Sequence, residues 1–141
     1  MSLPHSRRDS KARLILITIL VLLCSGPANA EWVEVTGNEQ VDATVYANPD
    51  TIRRKEEIVE MWVLFDFKTI RTVEDHSYLS ILSQEEYDCD GERNRTLTFA
   101  EFSGNRGDGK VVFSNSDEEK WEPVEPGSIA QALWKLACDK Q

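Results

Sequence analysis

The first thirty residues constrain this chain most, because they indicate in which compartment the rest of it folds. Four basic residues precede an apolar run over residues 14–23, and the segment ends in Ala28-Asn29-Ala30. A positive start, a short apolar helix and an A-x-A ending are typical of a secretory signal peptide. We therefore predict a signal peptide over residues 1–30, with cleavage between Ala30 and Glu31.

The same segment has two alternative interpretations. Its apolar run is shorter than the roughly 20 residues that a membrane-spanning helix needs, so we expect no integral membrane span in the mature protein. Cys24 closes the run, as in a lipoprotein signal, but Leu23 stands where such signals usually have a small residue. We therefore favour export through the inner membrane to the periplasm or the cell surface over lipid anchoring at Cys24.

Residues 31–141 are predicted to form one acidic domain. Residues 1–30 hold four of the 16 Lys and Arg and one of the 25 Asp and Glu, which leaves the domain a formal charge of −12. A surface of this sign repels nucleic acid, whose phosphates are neutralised by clustered Lys and Arg. The length allows one hydrophobic core. We therefore exclude nucleic acid as a partner.

The domain contains two cysteines, Cys89 and Cys138. In an oxidising compartment an isolated pair is most simply a disulfide, and the alternative is two unrelated buried thiols. A bridge that closes a loop of about 50 residues would stabilise the fold by about 4 kcal/mol in the chain-entropy model. We therefore predict a disulfide between Cys89 and Cys138.

Alternating apolar residues predict a series of short strands. In the clearest one, Val59, Met61 and Val63 share one face with Phe65 and Phe67. A turn is predicted at residues 48–50, where Asn, Pro and Asp follow the second strand. Consecutive strands joined by short turns favour an antiparallel meander. The predicted strands are residues 32–35, 41–47, 58–67, 77–87, 95–102 and 110–113.

The chain is predicted to end in an amphipathic helix over residues 129–138. Ser128 precedes the helix as its N-cap, and Gln131 stands three residues later, which together form a capping box. Apolar residues cover a wide arc of the helix, so it must pack on the sheet, with Cys138 at the edge of the arc. The fold class is therefore α+β, an antiparallel meander-like sheet with a C-terminal helix packed on it and tied by the disulfide.

The domain lacks the residue patterns of the common catalytic and metal sites. His76 is its single histidine, and we interpret it as a solvated loop residue. One histidine is not a typical zinc site when both cysteines form a disulfide, and a Ser-His-Asp triad would have to be built around it alone. The sequence therefore predicts a protein that is not an enzyme and uses neither a metal nor a cofactor.

Two features are candidates for binding. Arg106-Gly107-Asp108 lies in a glycine-rich loop, and this tripeptide is the cell-attachment signal that integrins bind. A simpler interpretation is that glycine and aspartate are residues that a hairpin loop favours. Trp62 lies on the mixed face of the clearest strand, where it is either an exposed contact residue or a covered core residue.

Short segments in a fixed order run over nearly the whole domain. They are Trp32-Val33-Glu34-Val35, residues 45–54, residues 59–67, Tyr87-Asp88-Cys89, Trp121-Glu122-Pro123-Val124, and Pro126-Gly127-Ser128 leading to Leu133-Trp134 and Cys138. In this order they resemble the surface-adhesin E family of Gram-negative bacterial exported proteins. The resemblance implies an antiparallel sheet with a C-terminal helix tied to it by a disulfide, here Cys89 to Cys138.

The resemblance also implies a function. The namesake of the family is a surface adhesin that binds host extracellular proteins, so we expect a non-catalytic binding module. Its partners would be host extracellular-matrix proteins or proteins of the cell envelope. Members often carry a lipoprotein signal, from which this sequence departs at Leu23. The alternative functions are a periplasmic carrier of a small ligand, held between sheet and helix, and an inhibitor of an envelope enzyme. No pattern in the sequence indicates an oligomeric state.

Overall fold

The structure, a computed structural model, describes residues 31–139. The predicted signal peptide, its cleavage site after Ala30 and the alternative anchor at Cys24 lie outside these residues. No helix within the described range is long and apolar enough to cross a membrane. The elements are β1 (Val33–Val35), β2 (Ala43–Lys55), β3 (Ile58–Val73), β4 (His76–Asp88), β5 (Arg93–Phe102), a 3-10 turn (Asn105–Gly107), β6 (Val111–Asn115), β7 (Glu122–Pro123) and α1 (Ile129–Asp139).

Strands β1 to β6 form one antiparallel sheet in which each strand pairs with the next along the chain. Short connections produce this order because the end of one strand lies beside the start of the next. The short strand β7 pairs with Arg93 and Asn94 at the start of β5. It lies on the same side of β5 as β6, which pairs with the end of that strand. The predicted meander and the α+β class are confirmed.

The predicted turn at residues 48–50 is wrong, because β2 continues through it. The pairing of β2 with β3 shifts register between Asn48 and Arg53. Pro49 has no N–H to donate to a ladder, so the strand passes this point as a bulge. Side chains supply local bonds instead: the Thr51 hydroxyl donates to the Asn48 carbonyl at 2.6 Å and accepts from the Trp62 N–H at 3.0 Å.

Strands β3 and β4 form a hairpin that is longer than the sequence pattern predicts. β3 continues to Val73, and a turn at Glu74 and Asp75 leads directly into β4. The interpretation of His76 as a loop residue is therefore wrong, since it is the first residue of β4 and lies opposite Val73. The apolar alternation ends at Phe67, so the pattern carries no signal for the end of β3.

Helix α1 packs on one face of the sheet and forms the core with it. Val59, Met61 and Val63 are completely buried in this core, as their alternation predicts. Phe65 and Phe67 follow on the same face but are only partly buried. The other core residues are Val45, Ala47, Tyr87, Ile129, Leu133 and Ala137.

Three side chains fix the start of α1. The Ser128 hydroxyl accepts the Gln131 N–H at 3.1 Å, as the predicted capping box requires. The Gln131 side chain accepts the N–H of Gly127 at 2.9 Å, one residue earlier than such a box usually closes. Glu39 reaches the helix from the β1–β2 connection and accepts the Ile129 N–H at 2.7 Å. A carboxylate thus faces the positive end of the helix dipole.

The end of α1 is tied to the sheet by a disulfide between Cys89 and Cys138, as predicted. The bridge joins residues 49 positions apart, directly after β4 and close to the end of the helix. The indole N–H of Trp134 donates to the Asp88 carbonyl at 2.8 Å. A covalent bond and a hydrogen bond therefore hold the helix at one corner of the sheet.

Candidate functional site

Helix α1 covers only part of the sheet face on which it packs. Beyond the helix the face continues with Phe65 of β3, Ile81 of β4 and Phe99 of β5, all partly exposed. Phe65 lies opposite Ile81, and Ser83 lies opposite Phe99, so these side chains are neighbours across the strands. We call this region the uncovered half of the face.

Five rings form a continuous row at the outer end of the uncovered half. Phe67 meets Tyr78 edge-on at a centroid distance of 5.7 Å, and Tyr78 lies 6.2 Å from the His76 ring. His76 stacks on Phe113 at 5.3 Å, and Phe113 lies 5.9 Å from Phe99. Such spacings are typical of attractive aromatic pairs. The row crosses four strands, and we call these five residues the aromatic row.

A carboxylate holds His76 in this row. The imidazole Nε2 lies 2.6 Å from Glu101 Oε2, and Nδ1 lies 3.6 Å from the Asp75 carboxylate. The hydrogen bond with Glu101 raises the pKa of His76 above its usual value, against a smaller opposing effect of burial. His76 is therefore a packed strand residue whose charged form is stabilised by neighbouring acids.

Two adjoining cavities lie between α1 and the aromatic row. Their volumes are about 400 Å³ beside the helix and about 320 Å³ beside the row. Phe65, Phe67, Glu85 and Thr96 line both cavities, so the two form one continuous groove, which we call the sheet groove. Its wall also includes Val45, Ile129 and Leu133 at the helix end, and Ile81, Ser83, Phe99, Glu101 and Glu119 at the row end.

Several polar side chains interrupt the apolar wall of the sheet groove, and the buried ones among them are Ser83, Glu85 and Glu101. Glu85 is 6% exposed, and its two carboxylate oxygens accept the Thr96 hydroxyl at 2.9 and 3.1 Å. Burial raises the pKa of Glu85 above its usual value. Ser83 is 2% exposed, and its hydroxyl has no hydrogen-bond partner among residues 31–139. Both groups would gain from a ligand that supplies the missing hydrogen bonds.

The predicted site Arg106-Gly107-Asp108 lies on the opposite face of the sheet. Asp66 and Ser80, which alternate away from the groove, hold the backbone of this loop. The Arg106 N–H donates to Asp66 Oδ1 at 2.9 Å, and the Gly107 N–H donates to the Ser80 hydroxyl at 2.8 Å. The side chains of Arg106 and Asp108 are exposed. The loop is therefore fixed to the sheet, with Asp108 exposed and Arg106 Nε 4.0 Å from Asp66 Oδ2.

Trp62 also faces away from α1, since it alternates with the buried Met61 and Val63. It lies opposite Asn48 on β2 and opposite Gln84 on β4. Its side chain is partly buried, so it is neither a fully exposed contact residue nor a fully covered core residue. The structure thus brings Trp62 and the tripeptide loop to the same face of the sheet, opposite the groove.

The opposite face contains a further aromatic cluster that the sequence analysis did not identify. The guanidinium groups of Arg93 and Arg95 lie 4.7 and 4.5 Å from the centroid of the Trp121 ring. Arg95 also pairs with Glu86 at 2.7 Å and with Glu118 at 3.5 Å. The contacts with Trp121 and Glu118 therefore link β5 to the segment before β7.

The uncovered half offers chemistry suited to binding. Its rings supply apolar surface, while Glu85 and Glu101 supply negative charge and hydrogen-bond acceptors. Within residues 31–139, no three His, Cys, Asp or Glu side chains come together as a metal site requires. The sequence places Phe65 and Phe67 on the same face as the core residues of β3, because alternation identifies the face but not how far a helix covers it.

The lengths of the elements explain why this region stays open. A helix of 11 residues is about 16 Å long. A strand of 16 residues is about 53 Å long. One short helix therefore cannot cover a long strand, and part of an apolar face must stay open.

Comparison with known proteins identifies a matching family model and similar solved structures. The family model of surface-adhesin protein E matches residues 32–139. The crystal form II structure of Haemophilus influenzae protein E is similar, with a TM-score of 0.60 and 11% identity over 80% of this chain and 92% of that chain. A structure of protein E from non-typeable Haemophilus influenzae has a TM-score of 0.54 and 12% identity, over 75% of this chain and 76% of that chain. No curated protein matches the sequence.

Proposed function

The chain belongs to the surface-adhesin protein E family, and on this basis we propose that it is an exported, non-catalytic binding module that attaches to host extracellular proteins. The observation that carries the proposal is the family match, which spans residues 32–139. This range includes both faces of the sheet and helix α1. Proteins of the cell envelope are the second class of partner.

The aromatic row supports attachment because exposed apolar side chains cluster around it. Phe113, within the row, is 42% exposed. Val73, which lies opposite His76, is 46% exposed, and Val111 on the edge strand β6 is 53% exposed. Clustered apolar residues on a protein surface mark interaction sites, and aromatic rings are enriched in interfaces. We therefore place the main contact with the partner at the aromatic row.

Phe113→Ala tests this placement, with Trp32→Ala as the matched control. Both are aromatic residues of similar exposure, 42% and 37%; Phe113 lies in the edge strand β6, and Trp32 directly precedes the other edge strand, β1. The full chain is expressed in a Gram-negative bacterium, and its exported form is passed over immobilised collagen, fibronectin and laminin in surface plasmon resonance. We expect saturable binding to at least one of them, about tenfold weaker for Phe113→Ala and unchanged for Trp32→Ala.

Two results would count against the proposal in different ways. If the wild-type protein binds none of the matrix proteins and no fraction of the cell envelope, attachment itself is refuted. If Phe113→Ala and Trp32→Ala bind as tightly as the wild type, attachment stands but the aromatic row is not its contact surface.

Arg106-Gly107-Asp108 is proposed as a second contact, with integrins as the partner. The exposed Asp108 carboxylate is suited to ligate a receptor's metal ion, because hard divalent cations prefer oxygen ligands. Asp108→Glu keeps the charge and moves the carboxylate by one methylene, and Asp117→Glu makes the same change in another exposed segment. Integrin-dependent cell attachment should fall several-fold for Asp108→Glu only, and equal attachment to both variants would remove the tripeptide from the proposal.

Trp62 is a further candidate contact on the same face as the tripeptide. Its partial burial supports a smaller contribution than that of a fully exposed ring. Trp62→Leu keeps an apolar side chain at the position and removes the ring edge. We expect about threefold weaker binding in the matrix-protein assay. Unchanged binding would make Trp62 a structural residue only.

The proposed location is the periplasm or the cell surface. The mass of the N-terminal peptide of the exported protein separates a free Glu31 from an acylated Cys24. Protease treatment of intact cells then separates the cell surface from the periplasm. We expect a chain that begins at Glu31, and a lipid-modified Cys24 would refute cleavage by the ordinary signal peptidase.

A second candidate function, carriage of a small ligand, is favoured by one observation, the sheet groove beside α1. Its two cavities, of about 400 and 320 Å³, are within the range of small-molecule sites, about 300–1,000 Å³. The cavity beside α1 is lined by residues of both the sheet and the helix, which is where the sequence analysis places a carried ligand. The inhibition of an envelope enzyme has no specific contact in its favour, and we do not propose it.

A further inference from the structure

The row end of the sheet groove is negatively charged and short of hydrogen-bond donors. Glu85, Glu101 and Glu119 line this cavity together with the Ser83 hydroxyl, and no Lys or Arg is among its lining residues. Ionised carboxylates only accept hydrogen bonds. Glu101 is already engaged by His76, whereas Glu85 accepts a hydrogen bond from the Thr96 hydroxyl. An anionic ligand would be repelled here, and a donor would be attracted.

The Ser83 hydroxyl is a second, independent indication of a ligand. Ser83 is almost completely buried in the wall of the groove, and its Oγ has no hydrogen-bond partner among the described residues. The hydroxyl lies near enough to Glu85 to favour its charged form, but no hydrogen bond of normal geometry joins the two side chains. Buried hydroxyls in native proteins are normally satisfied. A ligand group that donates hydrogen bonds to both Ser83 and Glu85 would use the free hydrogen-bonding capacity of these two side chains.

The single basic residue at the helix end of the groove does not oppose a positive ligand. Arg71 lies over the Phe67 ring at 4.8 Å, and its guanidinium is 4.0 Å from the Asp42 carboxylate. Glu39 and Asp42 line the same cavity. Arg71 also shows that a cation can lie on an aromatic ring of this groove, Phe67, as expected from the negative face of such a ring.

From this geometry we propose that the sheet groove binds a small organic cation, an ammonium group carried on a compact apolar body. The proposal rests on the second candidate function, carriage of a small ligand, and is independent of attachment to host proteins. The ammonium donates to Glu85 and Ser83, since it has three donors and no acceptor. The apolar body lies on Phe65, Ile81 and Phe99, which are partly exposed without a ligand.

Three probes with the same phenylethyl body test the proposal: 2-phenylethylamine, 2-phenylethanol and 3-phenylpropanoate. Each is titrated into the isotope-labelled exported protein at physiological salt, and the NMR shifts of Ile81, Ser83 and Phe99 report binding in the groove. We expect the amine to bind at least about tenfold more tightly than the alcohol, because it adds a charge-assisted hydrogen bond. The carboxylate should bind most weakly.

Matched variants distinguish amine binding in the groove from non-specific attraction of the amine to an acidic domain. Glu85→Gln and Glu122→Gln each remove one negative charge from the domain, but Glu122 is an exposed residue of β7. Of these two variants, only Glu85→Gln should weaken amine binding, by about tenfold. Neither variant should change the affinity for the alcohol. Ser83→Ala removes the unsatisfied hydroxyl and should weaken amine binding several-fold. It also serves as the test should Glu85→Gln fail to fold.

Each remaining outcome overturns a defined part of the proposal. If the alcohol or the carboxylate binds the groove as tightly as the amine, the cationic class is refuted while carriage of a small ligand stands. If none of the three probes shifts the groove resonances, both are refuted. If Glu85→Gln and Glu122→Gln weaken the amine equally, its binding is non-specific attraction to an acidic protein.

Discussion

The covered and uncovered halves of one sheet face are built from the same strands but differ in composition. Under α1, β3 contributes Val59, Met61 and Val63, which are completely buried. Further along, the same strand contributes Phe65 and Phe67, which stay partly exposed. The covered half gains stability from burial, whereas the uncovered half keeps apolar surface available to a partner. The length of α1 sets the border between the two.

Removal of the disulfide should have the largest effect, because it holds α1 over the covered half. The double variant Cys89→Ser with Cys138→Ser should lose about 4 kcal/mol of unfolding free energy. Urea denaturation followed by circular dichroism measures this loss. The reduced wild-type protein is the control and should lose a similar amount. A loss below about 1 kcal/mol would show that Trp134 and the core packing hold the helix without the bridge.

Substitutions in the two halves should differ in cost. Met61→Ala empties a completely buried position under α1 and should cost about 3 kcal/mol. Ile81→Ala in the uncovered half removes a partly exposed side chain and should cost about 1 kcal/mol. The same urea experiment measures both. Equal costs would mean that the uncovered half is part of the core and not an open surface.

Local patterns were sufficient for the covered half. The alternation through Val59, Met61 and Val63 needs no knowledge of other strands, because side chains in a strand point to opposite faces in turn. The helix start at Ser128 and Gln131 is likewise a local signal. The cysteine pair follows from composition and the predicted export. For these features, the sequence contains both the residues and their physical reason.

The uncovered half could not be predicted in the same way, because its contacts are between residues far apart in sequence. Ser83 and Glu85 of β4 share a groove with Phe99 of β5 only once the register of these two strands is known. The bulge at Pro49 illustrates the same limit. A proline after a strand predicts a turn, and only the bonds made by distant partners show that the strand continues.

His76 depends on such a distant partner, and its titration is the smallest effect that we expect. The hydrogen bond with Glu101 raises its pKa above 6.5 in the folded protein. The resulting stabilisation is therefore complete below the unfolded-state pKa of about 6.5 and is lost as the pH rises through the higher folded-state pKa. His76 is the single histidine of residues 31–141, so an NMR titration of its ring gives the pKa directly.

Glu101→Gln should lower the pKa of His76, since it removes the carboxylate that stabilises the imidazolium. Asp75 remains beside the ring at 3.6 Å and should retain a smaller part of the shift. The wild type should therefore exceed this variant in stability more at pH 5.5 than at pH 8.5, because the imidazolium is present only at the lower pH. If the stability difference between the wild type and the variant instead grew with pH, Glu101 would stabilise the hairpin end through its contact with the neutral imidazole. The aromatic row would then not depend on the charge of His76.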